Sequence, residues 1–312
     1  MKVGAIFPGQ GAQYVGMGKD WYEAHPAARA KFDQADKILG YALSRVCFEG
    51  PEEELNSTRV SQPALFTMSA AVLAVLNERQ FTHCSAAVAA GLSLGEYTAL
   101  HFAGAFSFED GLQLVAKRGQ YMQEACDAAP SGMTSILGLS AADGEAVCRQ
   151  ASSEGVVVVA NINSPGQIVF SGTPKALEKA VELAKARGAR RAIPLKVAGA
   201  YHSPLMSPAD QKLAKAIETV AVNAPQVPVL SNVTADYVRA PAEIRSLLAR
   251  QVLSTVRWSE SMEKAVQAGV TRFLEIGAGT VLAGLMKKIH PEAEVLSIDK
   301  AADLAKVQHA HV

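Results

Sequence analysis

Residues 91–97 read GLSLGEY and follow the small, apolar stretch SAAVAA at 85–90. A Gly-x-Ser-x-Gly frame in that setting fits a strand that runs into a sharp turn and then a helix, which lifts the Ser93 hydroxyl to the end of the strand. Such a frame arises by chance on the order of once in ten chains of this length. Whether Ser93 is a nucleophile is therefore decided by the rest of the chain.

Outward from the frame, short apolar runs at 3–7, 86–90, 227–230, 273–276 and 295–298 alternate with longer helix-like segments. That alternation predicts a parallel sheet covered by helices. Between 128 and 197 the rhythm changes to strand 134–139, helix 141–152, strand 156–162, strand 167–171, helix 174–187 and strand 191–197, a β-α-β-β-α-β order of ferredoxin-like type. The reading is an α/β protein with an α/β-hydrolase-like parallel-sheet core and an inserted ferredoxin-like small subdomain. Residues 1–127 and 198–312 form the large catalytic part and 128–197 the small one, with a ligand cleft between them.

Bulk properties narrow the class. The 312 residues are 49% hydrophobic and 19% charged, as expected of a folded enzyme, and Lys plus Arg balance Asp plus Glu at 30 each. No global field draws such a chain to nucleic acid or an anionic membrane. Cys47, Cys84, Cys126 and Cys148 are far apart without a Cys-x-x-Cys pair, which argues against zinc and leaves them as reduced packing residues. The apolar run in MKVGAIFPGQ is too short for a signal peptide, and no stretch has 18 uninterrupted apolar residues, so a cytoplasmic location is expected.

Two glycine-rich turns fail the nucleotide fingerprints. FPGQGAQ at 7–13 would need glycine at Tyr14 for a dinucleotide loop, and glycine at Gln13 with Ser or Thr at Asp20 for a Walker loop. A flexible loop at a strand end remains, a plain turn or one whose N–H groups face a ligand. EIGAGTVLAG at 275–284 has Leu282 at the third glycine position and reads as structural.

A nucleophilic Ser93 needs a base. His101 lies about 12 Å along the following helix, His83 precedes the strand at its far end, His25 and His290 each precede proline, and His309 and His311 sit in the tail. His202 in VAGAYHSPLMSPA remains, where a strand ends before the Ser-Pro start of a helix. No Asp or Glu stands out as a third triad member, so a dyad oriented by a backbone carbonyl and a full triad both stay open. On the helix at 108–126, Gly111, Val115, Arg118 and Met122 share one stripe, which puts Arg118 inside the apolar face and Lys117 outside it. A guanidinium there must snorkel, pair with an internal carboxylate, or wait for an anionic ligand. The basic run AKARGARR at 184–191 reads as a solvated helix end stopped by Gly188.

Taken together, FPGQGAQ, SQPALF at 61–66, GLSLGEY, KRGQYMQ at 117–123, ANINSPGQIVFSG at 160–172, GAYHSPLM at 199–206, SNVTA at 231–235 and EIGAGTVLAGL at 275–285 resemble the malonyl-CoA:acyl carrier protein transacylases. The resemblance runs from about residue 3 to residue 299. It implies Ser93 as the acylated nucleophile, His202 as its base, Arg118 as the clamp on a malonyl carboxylate, Gln10 with the N–H of Leu94 as the oxyanion hole, and the Gln251 carbonyl as the group orienting His202. It further implies malonyl-CoA and acyl carrier protein as partners, a monomer, and no metal or other cofactor. Three positions depart from the family's usual pattern: Leu92 for His before the nucleophile, Ala198 for Ser, and Tyr201 for Phe, the last keeping an aromatic wall by the acyl pocket. A serine esterase or thioesterase and a non-catalytic acyl-carrier docking protein are the alternatives.

Overall fold

The structure, a computed structural model, describes residues 2–81 and 85–308, so His83, Cys84, His309 and His311 lie outside the described residues. Its strands are Lys2–Phe7 (β1), Val88–Gly91 (β2), Gly132–Leu137 (β3), Val157–Ser164 (β4), Gln167–Gly172 (β5), Arg191–Pro194 (β6), Val229–Leu230 (β7), Tyr237–Val238 (β8), Val270–Ile276 (β9) and Glu294–Ile298 (β10). The sheet order β10-β9-β1-β2-β7-β8 is parallel except for β8, which runs antiparallel to β7 at the edge. The sequence pattern does not announce β8, because two residues are too few to show a period. In β1 the alternation of strand side chains feeds two helix layers, with Ala5 and Phe7 in one core cluster and Ile6 in the other. Burial on both faces is why this strand reads as a continuous apolar run.

Chain order turns around beside β1, with β2 and β7 on one side and β9 and β10 on the other. In such sheets ligands bind beyond the carboxyl ends of the strands at the reversal. Phe7 and Gly91 are register partners, so the FPGQGAQ loop and the GLSLGEY turn leave the sheet side by side.

The second sheet, β4-β5-β3-β6, is antiparallel throughout and closes its own core against the helices Ala141–Ala151 and Pro174–Ala186. The strand expected to reach 197 ends at Pro194, and Leu195, Lys196 and Val197 turn to line the cleft instead. Hydrogen bonds tie β4 to Val256, which lies outside both sheets just before the helix Trp258–Gln267: Val256 N–H to the Ala160 carbonyl at 2.8 Å and Ile162 N–H to the Val256 carbonyl at 2.9 Å. The helix Thr58–Glu78 is long and apolar enough to cross a membrane, but 83% of its most apolar 18-residue stretch is buried inside the fold, as for a core helix. Cys47, Cys126 and Cys148 are free and buried. Arg187 and Gly188, at φ 95°, end the helix Pro174–Ala186 as the basic run predicts.

Candidate active site

Ser93 sits between β2 and the helix Leu94–Phe102 at φ 53°, ψ −102°, a conformation that costs a non-glycine residue roughly 1–3 kcal/mol. The flanking glycines make the turn possible: a Cβ on Gly91 would stand 1.9 Å from the Gly95 carbonyl carbon, and one on Gly95 would stand 2.1 Å from the Phe7 carbonyl oxygen. Asn232, just beyond β7, braces the strained residue from both sides. Its Oδ1 accepts the Ser93 N–H at 2.6 Å and its Nδ2 donates to the Gly91 carbonyl at 2.8 Å. At about 1 kcal/mol per hydrogen bond, these two offset much of the strain.

The Ser93 hydroxyl lies 2.8 Å from His202 Nε2, and His202 Nδ1 lies 2.9 Å from the backbone carbonyl of Gln251. A carbonyl can only accept, so Nδ1 carries the proton and Nε2 is left free to take one from Ser93. The orienting group left open by the sequence is thus a carbonyl. Burial, and after it the Arg118 charge, lowers the His202 pKa to about 4, which keeps the imidazole neutral and ready to act as a base. His101 is spent elsewhere, its Nδ1 facing the Phe106 carbonyl at 3.1 Å.

Arg118 is 1% exposed on the helix Phe108–Ala128. The acceptors it finds are all neutral: Nη1 donates to Gln62 Oε1 at 2.8 Å, and Nη2 donates to Ser93 Oγ at 3.0 Å and to Gln251 Oε1 at 2.9 Å. Its Nε has no partner among the described residues. Burial pulls its pKa down, with Tyr97 and Glu96 working the other way. Of the three options the sequence leaves, snorkelling and a direct carboxylate partner are absent among the described residues, and a buried cation poised beside the serine remains.

Beneath Ser93, the Gln251 side chain donates through Nε2 to the Ser93 carbonyl at 3.0 Å and to Glu96 Oε2 at 2.5 Å. Glu96 is 2% exposed and also accepts the Asn232 N–H at 3.2 Å. Its pKa is raised to about 7 by burial, against the pull of hydrogen bonds from Gln251, Asn232 and Ser231 and of the Arg118 charge.

A cavity of about 210 Å³ opens over the serine between the two sheets, bordered by Gln10, Ser93, Met122, Asn161, Tyr201 and His202. Leu92 is part of its wall. The loop after β1 comes so close to the elbow that a Cβ on Gly9 would stand 2.3 Å from the Leu92 carbonyl oxygen. The Gln10 side chain donates to Tyr201 Oη at 3.3 Å and to Thr58 Oγ1 at 3.4 Å, and Tyr201 Oη also shares a hydrogen bond with Thr58 Oγ1. Leu94 is the first residue of its helix, so its N–H has no acceptor one turn back and is available to an oxyanion. Among the described residues no group of three or more His, Cys, Asp or Glu side chains converges as metal ligands would.

A family model described as an acyl transferase domain matches residues 5–309. A malonyl CoA-acyl carrier protein transacylase of Bacillus subtilis is 47% identical over 298 residues, 95% of this chain and 93% of that protein. The chain belongs to this acyl transferase family. An acyl carrier protein S-malonyltransferase of Vibrio cholerae superposes with a TM-score of 0.95 at 40% identity, covering 98% of this chain and all of that one (100%). A malonyl-transacylase solved in complex with a type II polyketide acyl-carrier protein gives 0.95 at 38% identity, with 100% of both chains covered. These structural relatives agree with the α/β core and ferredoxin-like insert described above.

For this acyl transferase, then, one constellation brings together Ser93, His202, Arg118 and Gln251, and the cavity wall adds Gln10 and Tyr201. Sequence reasoning passed over the roles of Gln62, Glu96 and Asn232. A signal existed for Asn232, a polar residue just past the carboxyl end of a strand neighbouring β2, on the rim where ligands bind. For Glu96 the signal was a carboxylate in the first turn of a mostly apolar helix.

Proposed function

We propose that the chain carries a malonyl group from malonyl-CoA to the phosphopantetheine thiol of an acyl carrier protein through a malonyl ester on Ser93. His202 Nε2 takes the hydroxyl proton as Ser93 Oγ attacks the thioester carbonyl. The N–H groups of Gln10 and Leu94 hold the oxyanion, and the carbon–sulfur bond breaks with the proton returned to the CoA thiolate. The carrier thiol then gives its proton to His202 and attacks the ester, and Ser93 leaves with that proton restored. Gln251 keeps the imidazole in its tautomer, and Tyr201 walls the acyl pocket.

The observation that carries this reading is the Arg118 guanidinium 3.0 Å from Ser93 Oγ, buried and served by neutral acceptors only. An acyl group bearing its own carboxylate supplies the anion that such a site lacks, through two parallel hydrogen bonds. The proposal treats residues 1–127 and 198–312 as the catalytic part and 128–197 as the small subdomain. It has the protein act as a cytoplasmic monomer, with no metal or redox cofactor, since transfer between thioester and ester needs only a base and oxyanion donors.

Radiolabelled malonyl-CoA, with and without carrier protein, tests it. Label that binds Ser93 and moves to the carrier supports the proposal. Label lost to water in the presence of carrier would make the protein an esterase or thioesterase, and no covalent label would leave a docking protein.

A further inference from the structure

Glu96 lies one turn into the helix behind Ser93 and touches none of the atoms that would react. We infer that Glu96 is a positioning residue, whose carboxylate fixes which end of the Gln251 amide faces Arg118 and so aims the guanidinium at the acyl carboxylate. The inference rests on the transfer reaction proposed above and deepens it by naming what holds the clamp.

An amide side chain is asymmetric, with an acceptor at one end and two donors at the other. Gln251 Oε1 accepts from Arg118 Nη2 at 2.9 Å, while Nε2 donates to Glu96 Oε2 at 2.5 Å and to the Ser93 carbonyl at 3.0 Å. Turned over, the amide would set N–H groups against a guanidinium and an oxygen against a carboxylate and a carbonyl. All three contacts would become repulsive inside a site where Gln251 is 1% exposed. Of the two acceptors on the Nε2 side, Glu96 is the one with charge, and so the stronger lock. The same carboxylate oxygen receives the Asn232 N–H, and Asn232 holds both sides of the Ser93 turn. Glu96 therefore joins the part that presents the nucleophile to the part that receives the carboxylate. Both donors fall on one carboxylate oxygen, Oε2, so the isosteric Glu96→Gln can keep an acceptor there but not its charge. Shape is kept while the charge of the lock is removed.

Two readouts test this. In steady-state transfer, Glu96→Gln should lower kcat/KM for malonyl-CoA about five- to tenfold, the gap between a hydrogen bond to a charged group and one to a neutral group, and change the residual acetyl-CoA rate less than about twofold. Gln251→Met removes the amide but keeps the carbonyl that orients His202. The double variant should then be no worse than Gln251→Met alone, because Glu96 acts through that amide. Equal losses for both acyl groups, or losses that multiply in the double variant, would overturn the inference.

The second readout does not depend on which acyl group the enzyme carries. In protein with ¹⁵N-labelled glutamine side chains, the Gln251 NH₂ protons should exchange with water about fivefold faster or more in Glu96→Gln than in the parent protein. Unchanged protection overturns the role of Glu96 even if malonyl transfer is established. Faster exchange in a protein that forms no malonyl ester upholds the amide lock while the proposed reaction fails.

Discussion

Two buried glutamates sit on two strand–turn–helix units of the same sheet, and their partners set them apart. Glu275, 0% exposed at the end of β9, accepts from the N–H groups of Leu282 at 2.8 Å and Ala283 at 3.0 Å, and from Ser297 Oγ at 2.8 Å. The first two donors open the helix Val281–Ile289, where a carboxylate satisfies orphan N–H groups and complements the helix dipole. Glu96 instead takes its donors from residues 136 and 155 positions away, both of which also hold Ser93. Burial raises the pKa of both carboxyls. A perturbed buried carboxyl therefore does not by itself mark a functional site. One glutamate closes its own turn, and the other wires distant elements to a nucleophile.

The sharpest test of the wired region is removal of its centre. Ser93→Ala should abolish acylation by roughly ten-thousandfold or more while leaving the unfolding midpoint nearly in place, because the hydroxyl serves chemistry and not packing. Intact-mass analysis should find a malonyl adduct on the parent protein alone, and an adduct on the variant would remove Ser93 from its role. Next in size, Arg118→Ala should cost malonyl transfer about 2–5 kcal/mol, the range for taking one side from a buried charged pair. Acetyl transfer, with no carboxylate to seat, should hold level, and Arg118→Lys should rescue only in part because it lacks the planar fork. A common factor for both acyl groups in a folded variant would make Arg118 a structural residue.

The capping region should respond in stability instead. Glu275→Gln is expected to destabilise the fold by about 1–3 kcal/mol, read from denaturant unfolding, with the malonyl to acetyl preference unmoved. A changed preference would erase the contrast between the two glutamates.

The smallest effect is in pH. His202, held down to about 4, is neutral above that value, so acetyl transfer should run level from neutral pH to about 5 and fall only as the pH passes through about 4, where an ordinary histidine would show its limb near 6.5. Glu96, raised to about 7, is ionised above that value and protonated below it. Gln251, Asn232 and Ser231 hydrogen-bond to it and the Arg118 charge favours its ionised form, so protonation leaves Gln251 Nε2 a weaker, uncharged acceptor. The malonyl to acetyl ratio should therefore be highest above about pH 7 and decline a fewfold below it. A ratio that rises on acidification would reverse the sign and detach Glu96 from the clamp.

Much of this molecule was legible in its residues because the signals are local. Alternation and apolar runs placed every strand but β8 to within a few residues, the glycines at 91 and 95 marked a turn that no side chain could enter, and helical spacing put Arg118 on a buried stripe. His202 emerged by elimination, since strand ends and helix axes set which histidines can reach the end of β2. The orienting role of Gln251 came from family resemblance alone, and the wiring of Gln62, Glu96 and Asn232 came from neither source. Glu96 lies 136 positions from Asn232 and 155 from Gln251, and whether their polar atoms meet within hydrogen-bond distance depends on how whole helices pack across the sheet. A period fixes the face a side chain takes on its own element. It carries no information about which donor waits on the opposite one, and so the direction of the Gln251 amide, the neutral cradle of Arg118 and the carboxylate behind them were decided only when the chain folded.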